Sequence, residues 1–226
     1  MKETGKSIQR RLHDSRFATR YFVGTGIDIG SGDDALSLYG ELFPSITGLR
    51  PWDLPDGDAQ TLNGVTDEQF DFVHSSHCLE HLSSPMQAMA NWFRVLKPGG
   101  HLVILVPDED LYEMGHFPSK LNSDHKWTFT LHKTNSWSPK SINVTELVTT
   151  LGAQAQVLKL ELLDAGYRYR LASIDQTMTP IGECAIEIVI RKRLPSELAA
   201  GGRLPSLSHM SIEEYYALTG IRVRNA

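Results

Sequence analysis

Cysteine and long apolar runs are both scarce in this chain. Only Cys78 and Cys184 occur among 226 residues, and they lie far apart. We therefore expect neither a disulfide framework nor a cysteine-rich zinc site, and a cytoplasmic location is the default prediction. The most apolar stretches, 102–106 and 186–190, are far shorter than the roughly 20 residues that a membrane helix needs. The N-terminus also lacks the apolar segment of a secretory signal, so no membrane partner is expected.

An excess of basic residues is missing as well. Lysine and arginine number 22 against 27 acidic residues, which gives a net charge of −5. This balance does not favour a broad nucleic-acid surface. The one basic stretch, 7–21, fits the solvated face of a covering helix better than a site for an anionic substrate. Hydrophobic residues make up 41% of the chain, which is enough for a buried core. The oligomeric state is left open, a homodimer included.

Strand and helix patterns alternate through the middle of the chain. Strands are expected at 21–29, 46–49, 70–75, 101–106, 157–163 and 185–191, and helices at 35–43, 84–96 and about 141–151. This order predicts an α/β fold with a doubly wound, mainly parallel sheet. The last two strands have no clear helix between them, so an antiparallel edge is expected. We divide the chain into a covering helix (1–20), one main domain (21–193) and a C-terminal extension (194–226).

A glycine turn, DIGSGDDA, joins the first strand to the next helical segment. Gly30 and Gly32 allow a tight turn and close approach of a ligand, although an ordinary strand–helix turn would look similar. One ligand that fits the spacing is a dinucleotide such as NAD, with Asp53 as the ribose-binding acid 21 residues after Gly32. The other is S-adenosylmethionine. Carboxylates on both sides of the glycines repel a pyrophosphate but are compatible with an ammonium and a sulfonium.

Four segments favour the second ligand, S-adenosylmethionine. VGTGIDIGSGDD, GDAQTL, FDFVHSSHCLEHL and RVLKPGGHLVILVPD follow in order from Tyr21 to about Asp108. This run resembles the class I, Rossmann-like methyltransferases that use S-adenosylmethionine, in the branch typified by small-molecule and ubiquinone-pathway enzymes. The resemblance implies a single-domain, seven-stranded sheet with an antiparallel edge strand. The family usually has three alternating glycines after the acid, whereas here Asp34 stands in the third place.

The resemblance also implies which residues meet the cofactor. The glycine turn and the end of the third strand would border the methionine part of the cofactor. His77, which follows that strand, is a candidate to border the transferred methyl group. An acid after the second strand would bind the ribose; Arg50 occupies the expected place, and Asp53 is the nearest carboxylate. The adenine would meet the GDAQ segment. The predicted cofactor residues are Asp28, Gly30, Gly32, Asp53, Asp58, Ala59, Ser75 and His77.

Histidines cluster at two further places. HCLEH, residues 77–81, matches the zinc-peptidase pattern H-x-x-E-H. The sequence offers no clear third ligand, so we interpret it as local structure and expect no metal. The polar loop 107–139 contains His116, Asp124 and His125. We expect these three to be the catalytic residues of the protein, with His125 or His116 as general base. The alternatives for this loop are a solvated surface segment and a divalent metal held by Asp108, Asp110 and Asp124.

Three functions follow from these patterns. The first is methyl transfer from S-adenosylmethionine to a small-molecule or glycan-like acceptor, at oxygen rather than at carbon or nitrogen. The second is an NAD-dependent oxidoreductase with a shortened Rossmann fold. The third is a non-catalytic member of the methyltransferase fold that binds the cofactor without turnover. Cofactor identity separates the first two, and turnover separates the first from the third.

Overall fold

The structure is a computed structural model, and it describes residues 2–204. Its strands are β1 (Gly24–Ile29), β2 (Ile46–Trp52), β3 (Phe70–Ser76), β4 (Leu96–Pro107), β5 (Thr128–Thr130), β6 (Ser141–Asn143), β7 (Ala155–Leu163) and β8 (Ala185–Lys192). Its α-helices are α1 (Glu3–Leu12), α2 (Pro85–Arg94), α3 (Val144–Thr149) and α4 (Pro195–Ala199). The helix signal at 211–214 and most of the expected C-terminal extension lie outside the described residues. No helix within 2–204 is long and apolar enough to cross a bilayer.

A six-stranded sheet, in the order β2-β1-β3-β4-β8-β7, forms the centre of the molecule. Strands β1 to β4 are parallel, and β8 runs antiparallel to both neighbours. The predicted α/β class and the antiparallel pairing of the last two strands are confirmed. The antiparallel strand, however, lies one position in from the edge. A second small sheet pairs β5 with β6.

The expected seventh strand is absent from this sheet in the described part of the chain. The segment between β2 and β3 forms a short 3₁₀ turn, Leu54–Asp56, followed by irregular turns. Two of the seventeen residues in this segment are glycines and one is a proline, so neither a crossover helix nor a further strand forms. The result leaves β2 as the outer strand next to the glycine turn.

The helix expected at 35–43 is also replaced by tighter structure. Two 3₁₀ segments, Gly32–Asp34 and Leu36–Leu42, flank Ala35, whose backbone is extended. The buried carboxylate of Asp28 accepts the N–H of Leu36 at 2.6 Å, and this bond replaces the first intrahelical one. Asp34 turns the other way: its carboxylate accepts the N–H of Gly5 at 2.9 Å and the hydroxyl of Tyr39 at 2.7 Å. Asp34, in the place of the family's third glycine, therefore fastens α1 to the glycine turn.

The basic stretch after residue 7 is not simply a solvated face. Arg11 is fully buried and pairs with Glu187 of β8, and Arg10 pairs with both Glu183 and Glu187. Lys159 of β7 also pairs with Glu187. These ion pairs fix α1 against the antiparallel end of the sheet.

Candidate functional site

A cavity of about 710 Å³ opens where β1, β2 and β3 end. This edge, at the carboxyl ends of parallel strands, is where α/β sheets bind ligands. Five of the eight predicted cofactor residues line the cavity: Gly30, Asp53, Asp58, Ala59 and His77. Asp124, a predicted catalytic residue, lines it as well, together with His81, Cys78 and Lys126.

The glycine turn forms one wall of the cavity. Gly30 has a positive φ of 71°, and a Cβ at this position would lie 2.5 Å from the Cβ of Cys78. A side chain therefore fits neither the backbone conformation nor the space. The N–H of Gly30 donates to the carbonyl of Trp52 at 2.8 Å, which ties the turn to the end of β2.

The structure resolves which acid follows β2. The strand continues through Trp52, and Arg50 lies within it, with its guanidinium 4.7 Å from the Trp52 ring centroid. Asp53 is therefore the first residue beyond the strand. Its carboxylate accepts the N–H groups of Gly32 at 3.1 Å and Leu54 at 2.9 Å. The geometry favours Asp53 over Arg50 as the ribose-binding position.

Two tryptophans hold the loop expected to meet the adenine. The indole N–H of Trp52 donates to the carbonyl of Gly57 at 3.2 Å, and that of Trp92 donates to the carbonyl of Ala59 at 2.8 Å. Asp58 closes the loop by accepting the N–H of Gln60 at 2.8 Å. The loop is therefore anchored by two indole side chains that belong to the same hydrophobic core.

Three predicted cofactor residues lie away from the cavity surface. Asp28 is buried between the Leu36 N–H and Nδ1 of His74, which is 2.6 Å away. Ser75 is buried, and its hydroxyl donates to the carbonyl of Ile29 at 2.9 Å. Gly32 is exposed beside the cavity, with its N–H bonded to Asp53. Asp28 and Ser75 therefore stabilise the turn from the protein interior, because their polar atoms form hydrogen bonds with other residues of the protein.

A buried cluster of histidines and carboxylates lies at the other end of the cavity. The Oε1 atom of Glu80 lies 3.6 Å from Nδ1 of His77, 3.9 Å from Nε2 of His81 and 3.8 Å from Nε2 of His125. Glu80 is fully buried, and neither of its carboxylate oxygens accepts a hydrogen bond from another residue of the described chain. His77 follows β3 with a positive φ of 51°, a strained conformation that is common at functional sites.

The two predicted catalytic histidines have different surroundings. His125 is buried, and its Nδ1 lies 2.6 Å from Oε1 of Glu113. His116 is exposed, and its Nε2 contacts the ammonium of Lys120 at 2.9 Å. It does not line the cavity, because the loop turns its ring outward. Asp124 pairs with Nδ1 of His81 at 2.9 Å rather than with its neighbour His125.

Burial changes the pKa values in this cluster. It raises the pKa of Glu80 to about 7 and lowers that of His77 to about 3. Burial also opposes a charge on His125, but the hydrogen bond to Glu113 and the nearby Glu80 outweigh it and raise the pKa of this imidazole above 6.5. The cluster therefore combines several titratable groups whose pKa values are shifted, as is common at functional sites.

The structure brings together residues that the sequence left apart. Glu80, His81 and His125 have ligand atoms within 4.8 Å of one another, and they are the group in residues 2–204 with metal-binding geometry. The acidic set Asp108, Asp110 and Asp124 is not such a group. Asp108 accepts N–H groups of its own loop and Asp110 pairs with Lys133, whereas Asp124 pairs with His81. The HCLEH pattern was the only signal for Glu80 and His81, and nothing in the sequence indicated Glu113.

Comparison with known proteins identifies the domain. Residues 27–104 match a family model described as a methyltransferase domain. The matched segment of the chain is therefore similar to the members of this methyltransferase family. This match favours S-adenosylmethionine as the cofactor and does not favour the alternative of an NAD-dependent oxidoreductase. The match covers the glycine turn, the cavity wall after β2 and β3, and most of β4.

Solved structures share the fold of this chain at low sequence identity. A Listeria monocytogenes protein assigned as an S-adenosylmethionine-dependent methyltransferase aligns with a TM-score of 0.54 and 14% identity, over 85% of this chain and 99% of that one. A SAM-dependent methyltransferase from Archaeoglobus fulgidus aligns with a TM-score of 0.51 and 16% identity, over 85% and 95%. At this identity the likeness concerns the fold alone.

One curated relative also matches this chain. It is an uncharacterised 37.1 kDa protein in transposon Tn4556 of Streptomyces fradiae, 24% identical over 173 residues. The match covers 74% of this chain and 46% of that protein, so this chain spans about half the length of the relative.

Proposed function

We propose that this methyltransferase transfers the methyl group of S-adenosylmethionine to an oxygen atom of a small-molecule or glycan-like acceptor. The cavity has two chemically different ends. Asp53, Asp58 and Ala59 lie at one end, and His77, His81 and Asp124 lie at the other. Its volume of about 710 Å³ suits a cofactor with a small acceptor.

The observation that carries this proposal is the buried histidine cluster at the acceptor end. The cofactor supplies an electrophilic methyl group on a sulfonium, so transfer needs mainly alignment of the acceptor, the methyl carbon and the leaving sulfur. An alcohol or phenol must also lose its proton at or before transfer. An amine that is already neutral can attack without this help, so a built proton-accepting cluster favours an oxygen acceptor.

Each part of the site then has a role. The carboxylate of Asp53 accepts hydrogen bonds from the ribose hydroxyls, and the loop held by Trp52 and Trp92 borders the adenine. In the proposed transfer the acceptor oxygen would bond to the methyl carbon as the carbon–sulfur bond breaks, and the electron pair of that bond would stay on sulfur. The acceptor proton leaves toward the cluster that contains Nε2 of His125, whose ring is held by Glu113.

Two measurements test this proposal. Calorimetry should show that S-adenosylmethionine and S-adenosylhomocysteine bind and that NAD does not. Release of S-adenosylhomocysteine should then be followed with matched acceptor pairs that differ only in a hydroxyl or an amine, such as phenol and aniline derivatives and sugars with their amino-sugars. Turnover with the hydroxyl members supports the proposal. Turnover with the amines alone overturns it, and cofactor binding with no turnover favours the non-catalytic alternative.

A further inference from the structure

We propose that Glu80, His81 and His125 bind a divalent transition-metal ion, with Zn²⁺ as the best-fitting metal, at the acceptor end of the cavity. This inference reverses the sequence-based expectation that HCLEH is only local structure. Binding of the ion is argued from the protein alone. Its role in methyl transfer rests on the proposed function.

The first argument is the spacing of the donor atoms. Oε1 of Glu80 lies 3.9 Å from Nε2 of His81 and 3.8 Å from Nε2 of His125, beyond hydrogen-bond distance in both cases. Donors that surround a zinc ion tetrahedrally at about 2.0–2.2 Å lie about 3.3–3.6 Å from one another. All three donor atoms lie within 4.8 Å of one another, so inward movements of about an ångström or less bring them to coordination distance.

The second argument is the unpaired carboxylate. Glu80 is fully buried, and neither oxygen has a hydrogen-bond donor from another described residue. No lysine or arginine within residues 2–204 forms an ion pair with it, and the ammonium of Lys126 donates instead to the backbone carbonyl of His81. A buried carboxylate without donors is one of the costliest arrangements in a folded protein. A bound cation removes that cost, since it supplies the missing positive charge.

The third argument concerns the far side of both imidazole rings. Nδ1 of His125 lies 2.6 Å from Glu113, and Nδ1 of His81 lies 2.9 Å from Asp124. Each ring therefore uses one nitrogen on a carboxylate and directs the other toward Glu80. Metal-binding histidines have this arrangement, because the outer carboxylate fixes both the tautomer and the orientation of the ring.

The donor set also selects the metal. Two imidazole nitrogens and one carboxylate oxygen suit Zn²⁺ or Co²⁺, whereas Mg²⁺ prefers oxygen donors alone. Three protein ligands leave one tetrahedral position free. His81 lines the cavity, so an acceptor oxygen from the cavity has access to the ion. Coordination to the ion would lower the pKa of a hydroxyl, so that its proton leaves to solvent water before transfer. Nε2 of His125 would then hold the ion instead of accepting that proton.

The experiment measures metal binding directly. The full-length protein is treated with a chelator, and Zn²⁺ is titrated by calorimetry while Co²⁺ is followed by its visible absorption. We expect one ion per chain and a tetrahedral Co²⁺ spectrum for the wild type. Glu80→Gln and His125→Asn should each weaken binding at least tenfold. His116→Ala, which removes an exposed histidine from the same loop, is the matched control and should bind like the wild type.

A thermal scan separates a metal ligand from a structural glutamate. Zn²⁺ should raise the melting temperature of the wild type and leave that of Glu80→Gln unchanged, while Glu80→Gln without metal should melt no lower than the metal-free wild type. A wild type that binds neither ion, or Glu80→Gln that binds Zn²⁺ like the wild type, overturns the inference. S-adenosylmethionine binding is measured on every variant to confirm folding. If the protein methylates hydroxyl acceptors but binds no ion, the metal site alone is refuted. If it binds one Zn²⁺ per chain but methylates only amines, the oxygen acceptor alone is refuted.

Discussion

The carboxylate of Asp53 accepts a hydrogen bond from the backbone N–H of Gly32 at 3.1 Å. This contact joins the end of β2 to the glycine turn after β1 across 21 residues of sequence. Both segments line the cavity, and this carboxylate is the one that we propose for the ribose diol. A charged group that already accepts backbone donors is held in place before the cofactor arrives.

Replacing Asp53 by alanine should weaken binding of S-adenosylmethionine by about tenfold to a hundredfold. A hydrogen bond to a charged acceptor contributes about 1.5–3 kcal/mol, and the expected range corresponds to the loss of one such bond to the ribose diol. Calorimetry on both proteins gives the ratio. Asp56→Ala is the control, because Asp56 accepts the N–H of Asp53 in the same turn but does not line the cavity. Equal affinities for the two variants would place the ribose elsewhere.

His125→Ala should reduce methyl transfer to a hydroxyl acceptor by about 10²–10⁴-fold, the usual range for loss of a group that assists proton removal. Affinity for S-adenosylmethionine should stay within a few-fold, since His125 does not line the cofactor end of the cavity. The measurement is release of S-adenosylhomocysteine at saturating cofactor. His116→Ala should keep near-normal turnover, because this ring is exposed and contacts Lys120. A large loss in His116→Ala with none in His125→Ala would contradict the assignment.

Asp34→Ala should loosen α1 from the glycine turn. The substitution removes the acceptor for the Gly5 N–H and the Tyr39 hydroxyl, and each such bond to a charged group contributes about 1.5–3 kcal/mol. We expect amide exchange in residues 3–12 to accelerate by at least about tenfold, as one lost bond of about 1.5 kcal/mol requires. Hydrogen exchange with mass spectrometry measures this. Asp33→Ala is the control, because Asp33 is exposed. Unchanged protection of α1 in Asp34→Ala would show that the ion pairs of Arg10 and Arg11 hold the helix alone.

Glu187 should make stability depend on acid. Burial opposes its charge, but the charge of Arg11 and the hydrogen bonds of Arg10 outweigh this and lower its pKa from 4.5 to about 2. Because the folded-state pKa is the lower one, the contribution is complete above about pH 4.5 and disappears as the pH falls toward 2. A shift of this size corresponds to about 3 kcal/mol.

Denaturant unfolding at several pH values tests this dependence. The difference in unfolding free energy between the wild type and Glu187→Gln should be largest near neutral pH and shrink between pH 4.5 and 2. Glu183→Gln is the control, since Glu183 pairs with Arg10 alone and is less buried than Glu187. A difference that is constant over this range would contradict the assignment.

Local sequence patterns were sufficient to predict the parallel sheet and most of the residues proposed to meet the cofactor. The run of apolar residues in β4, the cap and proline that start α2, and the glycines after β1 each reflect backbone or burial preferences that act within a few residues. Gly30 is one example, because a positive φ and the contact with Cys78 leave no room for a side chain. Asp53 was predicted as the ribose-binding acid from its place after the second strand. The sequence around Arg50 and Pro51 did not show where that strand ends.

Only the tertiary structure decided which polar residues meet. Asp28 and Ser75 follow the expected motifs, yet pairing within the sheet turns them behind the cavity. His116 and His125 are nine residues apart in one polar loop. The sequence favoured His125 as general base without excluding His116, and the fold buries His125 and exposes His116. Glu80 meets His125 across 45 residues, and Glu113 reaches the same ring from another turn. Such contacts depend on how the loops pack against the sheet. The local pattern of residues carries no information about the distance between side chains that are far apart in sequence.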